Sequence, residues 1–255
     1  MDEKIFSRVE KKYLVTKKER DVMLKLIKKH MRKDDYFESE VFNIYFDNDN
    51  YDLIIQSIDH PIFKEKLRAR SYGGYDKVFL EIKTKVLSHA YRHDLLEDDD
   101  TLKDNNLGYK RRILLTHTDF DRLISGEATA HELAAQNIEC GSDLQIAREV
   151  DYMINHFGLG PKILLYYKRK SYVDDNGLRI TFDADLRCRN HDLNFIKKPG
   201  DLVLLNDDKN IIMEIKAPGV MPLWLVNQLS ATHLYPTQFS KIGKIYELLR
   251  KEKNV

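Results

Sequence analysis

Along much of this chain, charged and apolar residues alternate one by one. That is the period of a β-strand that presents one face to a polar medium and buries the other. Lys66-Leu67-Arg68-Ala69-Arg70, Leu80-Glu81-Ile82-Lys83-Thr84-Lys85 and Met213-Glu214-Ile215-Lys216 show it most clearly. Strand-like patterns are predicted over 5–15, 41–46, 63–72, 78–86, 110–115, 163–173, 178–187, 202–205 and 210–216. Hairpin turns are expected at Gly73-Gly74-Tyr75-Asp76 and Asp174-Asp175-Asn176-Gly177. Helical spacing takes over elsewhere. Thr16 with Glu19 forms a capping-box signal ahead of Val22, Met23, Leu26 and Ile27. Asp47-Asn48-Asp49-Asn50 leads into a short helix. Residues 118–138 read as helical with an interruption near Gly126, and Ser142 with Gln145 opens a helix to about 157. Helices over 222–232 and 240–251 finish the chain.

Strands linked by hairpins favour an antiparallel sheet, and the amphipathic helices supply the apolar partner that its uncharged faces need. The expected class is α+β. The charged strand faces then lie in solvent or inside a closed barrel, and closure would also remove exposed sheet edges. No repeat, low-complexity tract or Pro/Gly-rich linker divides the sequence, so one domain over 1–255 is expected. Residues 87–108, with the acidic run Glu97-Asp98-Asp99-Asp100, read as a solvated loop.

Composition narrows the chemistry. Of 255 residues, 42 are Lys or Arg and 41 are Asp or Glu, a formal net charge of +1. Such a chain is not drawn to nucleic acid or membrane by net charge, so any anion site must come from local arrangement. Two cysteines, Cys140 and Cys188, make no disulfide framework and fit a reducing compartment. No apolar leader opens the sequence and no stretch is long enough to span a bilayer, so a cytoplasmic location is expected.

One charged strand face alone would be an ordinary solvated half-sheet. Here the choice repeats: Arg68 with Arg70; Glu81 with Lys83 and Lys85; Arg179 with Thr181, Asp183 and Asp185; Glu214 with Lys216. Arg forks suit bidentate phosphate contacts and Lys supplies a compact charge. An isolated carboxylate among them suits a divalent metal bridging phosphate oxygens. Other chemistries lack their motifs: there is no Walker A run, no Gly-x-Gly-x-x-Gly and no Gly-x-Ser-x-Gly, and His131-Glu132 lacks the second His of a zinc helix. His89 and His93 read as loop residues, and Trp224 as helix packing.

The residues Arg8-Val9-Glu10-Lys11-Lys12-Tyr13, Ile44-Tyr45-Phe46-Asp47, Lys66 to Tyr72, Phe79 to Lys83, Tyr167-Lys168-Arg169, Leu178 to Asp183, Met213 to Lys216 and Phe239-Ser240-Lys241 occur in an informative order. In that order they resemble the polyphosphate polymerase domain of the vacuolar transporter chaperone (VTC) complexes, a branch of the triphosphate tunnel metalloenzyme superfamily. The resemblance implies a closed antiparallel β-barrel, a tunnel lined by basic side chains with helices packed outside. It implies transfer of the terminal phosphate of ATP to a growing inorganic polyphosphate chain with a divalent metal, Mn2+ or Mg2+. Matched by motif position, Lys12, Arg68, Arg70, Lys83, Arg169, Arg179 and Lys241 are the implied phosphate ligands and catalytic residues. Glu214 is the implied metal ligand, with Glu81 and Lys216 as neighbours. Arg8 stands where the wider superfamily has the first Glu of Glu-x-Glu-x-Lys, which fits the polymerase branch better than a tunnel hydrolase. Lys110, Arg111 and Arg112 receive no role. ATP and polyphosphate are the expected partners; no specific nucleic acid and no transmembrane segment is expected, and no protein partner is identified. A tri- or polyphosphate hydrolase and a non-catalytic polyphosphate-binding module are the alternatives. Lys241, at the start of the last helix, is expected to be replaceable with little loss of stability.

Overall fold

Alternation becomes strand wherever a neighbouring strand is available to pair, and the computed structural model shows nine such strands among the described residues, 8–59, 63–73, 76–86, 107–137 and 141–253. In chain order the elements are β1 (Arg8–Val15), α1 (Lys17–His30), β2 (Arg32–Asp47), α2 (Asp52–Ile58), β3 (Phe63–Tyr72), β4 (Val78–Val86) and β5 (Leu107–Leu115). They continue with α3 (His117–Ile124), α4 (Ala130–Asn137), α5 (Gly141–Phe157), β6 (Gly160–Val173), β7 (Arg179–Arg189), β8 (Leu202–Val203), β9 (Ile211–Pro218), α6 (Leu223–Ala231) and α7 (Lys241–Lys253). The acidic run, His89, His93 and Cys140 lie outside the described residues.

Local chemistry explains several boundaries. The Thr16 hydroxyl accepts from the Glu19 N–H at 3.2 Å and the Glu19 carboxylate accepts from the Thr16 N–H at 2.7 Å, so the capping box starts α1 as expected. The helical stretch after β5 breaks at Gly126, whose φ of 78° ends α3 before α4 begins. Between β6 and β7, the Asp174 carboxylate accepts from the N–H groups of Asn176 and Leu178, and Gly177 takes the left-handed conformation at φ 86°. Asp47 ends β2 and accepts the Leu53 and Ile54 N–H groups, holding the start of α2. One element departs clearly from expectation: β2 starts nine residues before the apolar run at 41–46. Residues 32–40 are mostly charged and only partly buried, so strand pairing rather than burial decides their conformation.

The sheet runs in the hydrogen-bonded order β1-β9-β7-β6-β2-β3-β4-β5, with β8 on β7. The pairings of β1 with β9, β9 with β7, β7 with β8, β3 with β4 and β4 with β5 are antiparallel. Among the described residues no pairing joins β1 to β5, so the sheet is not closed by hydrogen bonds into the barrel that the resemblance implies. Alternation dictates which face of a strand is apolar; it carries no information on whether the end strands pair.

The residues divide into two compact units, with β2, β6, β7 and α7 contributing to both. Unit 1 comprises Met1–Val41, Tyr166–Cys188 and Gly200–Lys244. Its core joins Tyr13, Val15, Ile180, Phe182, Met213, Ile215 and Ala217 from the sheet to Met23 and Ile27 of α1 and Leu225 and Leu229 of α6. Trp224 packs partly against this core and stacks on His30, with ring centroids 4.5 Å apart. Unit 2 comprises Phe42–Leu165, Arg189–Pro199 and Ile245–Val255. There β3 packs against α2, and β5 against α3, α4 and α5. Leu67, Leu80, Ile82 and Ile113 are buried, as their place on the apolar face requires.

Candidate functional site

Register converts the alternation into two charged surfaces, one in each unit. In unit 2, β3 and β4 pair Arg68 with Glu81, Lys66 with Lys83 and Lys64 with Lys85. β4 and β5 pair Glu81 with Arg112 and Lys83 with Lys110. Residues paired across antiparallel strands point to the same side of the sheet. Among the described residues of these three strands, the face therefore carries Lys64, Lys66, Arg68, Arg70, Lys83, Lys85, Lys110 and Arg112 with a single carboxylate, Glu81. Lys66, Lys83 and Lys110 stand abreast across three strands. Like charges placed opposite one another disfavour strand pairing, so these rows are not the choice that pairing alone would make.

Its geometry holds the cations in order. Arg68 donates to Glu81 through Nε at 2.8 Å and through Nη2 at 2.7 Å, while the Lys110 ammonium lies 3.5 Å from the other carboxylate oxygen. Arg70 Nε donates to the Asn43 side-chain carbonyl at 2.8 Å, and Asn43 in turn donates to the Leu165 carbonyl. Arg112 sits over Phe79, 4.6 Å from the ring centroid. Glu81 is 1% exposed. Burial alone would raise its pKa, but Arg68, Arg70 and Lys110 bring it below the usual carboxylate value.

In unit 1 the centre is Asp183, which is fully buried. Its two oxygens accept from Arg169 Nε at 2.6 Å and Nη2 at 2.8 Å, and from the Lys241 ammonium at 2.6 Å. Both cations also face the Tyr167 ring, with Lys241 Nζ 4.8 Å and Arg169 Cζ 5.2 Å from its centroid. Beside them β1, β9 and β7 form two cross-strand rows: Lys12–Glu214–Thr181 and Glu10–Lys216–Arg179. Glu214 is 7% exposed and lies 2.7 Å from the Lys216 ammonium. Burial raises its pKa, but Lys216 first, then Lys241 and Arg169, hold it well below the usual carboxylate range. Lys12 donates to the Phe239 carbonyl at 3.2 Å, and the Thr237 N–H donates to the Lys12 carbonyl, which ties the segment before α7 to β1. Arg179 donates to Ser171 and pairs with Asp34 at 2.7 Å.

Arg68, Arg70 and Lys83 thus share a face in unit 2 with Glu81. Lys12, Arg169, Arg179, Glu214, Lys216 and Lys241 belong to the charged side of unit 1. Lys241 differs from expectation. It was expected to be replaceable at little cost in stability, but its ammonium pairs with the fully buried Asp183, so its removal will cost stability as well as charge. Three contributors went unassigned in the sequence. Asp183 was visible as one more charge on its strand, but its role as the shared counter-ion needs the pairing of three segments. Lys110 and Arg112 alternate with Arg111 and Ile113, a signal that placed them on one face without naming the face.

The family model for the VTC domain matches residues 7–250. The chain belongs to the VTC domain family. A relative, vacuolar transporter chaperone complex subunit 4 of Schizosaccharomyces pombe, is 24% identical over 161 residues, covering 58% of this chain and 20% of that protein. The VTC domain chain thus spans about a fifth of that relative's length. A putative adenylyl cyclase from Hippeastrum, described as having a dominant triphosphatase activity, shares the fold with a TM-score of 0.50, 14% identity and 96% coverage of both chains. A Pyrococcus horikoshii protein aligns with a TM-score of 0.46 and 12% identity over 95% of this chain and 98% of its own.

Among the described residues of this VTC domain no three His, Cys, Asp or Glu side chains group as metal ligands. The donor set still fits a hard divalent ion of the kind bound by one carboxylate and completed by phosphates and water. Glu214, kept ionised by its neighbours, is the residue suited to it. No described helix is long and apolar enough to cross a membrane.

Glu81, Asp183 and Glu214 all have folded pKa values below their unfolded ones. Their contribution to stability is therefore complete above the unfolded carboxylate range and is lost as pH falls through the folded values. The urea midpoint should fall steadily below about pH 5. An Asp183→Asn variant should show a shallower fall; an equal slope would remove Asp183 from this account.

Proposed function

We propose that this VTC domain is an ATP-dependent polyphosphate polymerase, transferring the terminal phosphate of ATP to a growing polyphosphate chain. The observation that carries the reading is the unit 2 sheet face, where the described residues of three strands place eight cations with one carboxylate and three lysines abreast. A polyanion can meet cations in several rows at once, whereas a single small anion would meet those of one. Family membership supports the same reading.

Phosphoryl transfer asks little covalent chemistry of the protein; position and charge neutralisation lower the barrier. The terminal phosphate oxygen of the chain attacks the γ-phosphorus of ATP, the bond to the β-phosphate oxygen breaks, and ADP leaves. No protein nucleophile is required. In unit 1 Lys12, Arg169, Arg179, Lys216 and Lys241, and in unit 2 Arg68, Arg70 and Lys83, are the side chains proposed to hold phosphate oxygens and offset their charge. Asp183 fixes the direction of Arg169 and Lys241. Glu214 would hold a divalent metal, Mn2+ or Mg2+, which when bound neutralises charge on phosphate oxygens.

The test is incubation of the purified protein with ATP and Mn2+, with products separated on a polyphosphate gel. The expected result is ADP together with a long polymer. Free phosphate without polymer would make the protein a hydrolase. Tight polyphosphate binding with no metal-dependent turnover would make it a binding module.

A further inference from the structure

We infer that the Thr181 hydroxyl is a further phosphate contact, donating its O–H to an oxygen of the phosphate chain beside Glu214; this rests on the polyphosphate reading above. Thr181 is 5% exposed, and its Oγ is buried with no hydrogen-bond partner among the described residues. A buried hydroxyl left unpaired destabilises the fold, and native structures rarely keep one without a use. Structure alone does not call for it: valine has the same branched shape and an equal or better strand preference.

The position supplies the use. Thr181 pairs across the strands with Glu214, which pairs on its other side with Lys12, while Arg179 and Lys216 fill the adjoining row. It is the one uncharged side chain in the two rows. Lys supplies charge with little direction and Arg supplies a charged fork; a neutral hydroxyl directs one oxygen without adding charge next to the carboxylate. Phosphate oxygens are acceptors only, so the O–H donates to them. The flanking Lys12, Arg179 and Lys216 are long cations with rotatable stems, so an entering anion that draws their charged ends to itself opens the hydroxyl beneath.

The experiment compares Thr181→Val and Thr181→Ser with the unsubstituted full chain. Tripolyphosphate binding is measured by calorimetry without metal, and thermal unfolding is measured without ligand. Thr181→Val is expected to bind about tenfold more weakly, the loss of one hydrogen bond to a charged group. It should unfold at an equal or higher temperature, because an unsatisfied group has been removed. Thr181→Ser should restore the affinity. Unchanged affinity in Thr181→Val overturns the inference and leaves the phosphate reading standing. Weaker binding accompanied by a lower unfolding temperature, and not restored by Ser, assigns Thr181 a packing role and also overturns it. Failure of the unsubstituted chain to bind tripolyphosphate overturns both.

Discussion

Asp183→Asn should destabilise the folded protein by on the order of 3–5 kcal/mol, the usual cost of removing one member of a buried ion group. Asp183 is the fully buried carboxylate to which Arg169 and Lys241 both donate. Burial raises its pKa, but Lys241 and then Arg169 lower it below the ordinary value, so it is the charged form that the fold uses. Asparagine keeps the shape and loses the charge, leaving two partly buried cations facing each other across Tyr167. The loss is measured by urea unfolding at pH 7. A second measurement separates this from generic damage. Tripolyphosphate bound to Arg169 and Lys241 replaces the missing negative charge, so added ligand should raise the unfolding temperature of the variant more than that of the unsubstituted protein. A loss under about 1 kcal/mol would show that the triad is effectively solvated.

The second large effect concerns turnover. Glu214→Gln should lower metal-dependent polymer synthesis by a hundredfold or more, on the order of 3 kcal/mol in the barrier. Tripolyphosphate binding should persist and tighten, because a repelling carboxylate has been neutralised beside Lys216, Lys241 and Arg169. Arg169→Ala should instead weaken both turnover and affinity, with about 2 kcal/mol, or thirtyfold, lost from binding. Full turnover by Glu214→Gln at limiting metal would exclude Glu214 as the metal residue. Loss of polyphosphate binding in Glu214→Gln but not in Arg169→Ala would mean that the two roles are reversed.

Much of this architecture was legible because strand and helix periods differ. The strands at 63–72 and 78–86 and the capping box of Thr16 and Glu19 stand where the pattern put them. Burial of Leu67, Ile82, Ile180 and Ile215 followed from the same alternation. The early half of β2 was not legible, since its charged residues are strand only through their pairing.

By itself, the order of residues determined which side chains share a strand face, and hence that Arg68 with Arg70, Glu81 with Lys83, and Glu214 with Lys216 would point the same way. A two-residue period is a local property of the backbone, and it needs no partner to be read. Tertiary structure alone decided which faces meet and in what register. It set Lys66, Lys83 and Lys110 abreast, placed Asp183 between Arg169 and a lysine 58 residues away, and left Thr181 unpaired beside Glu214. Among the described residues it also left β1 and β5 without a pairing to each other, where the resemblance implied closure. These outcomes depend on contacts between residues far apart in the chain, whose free energies are fixed by packing and desolvation rather than by any neighbour in sequence.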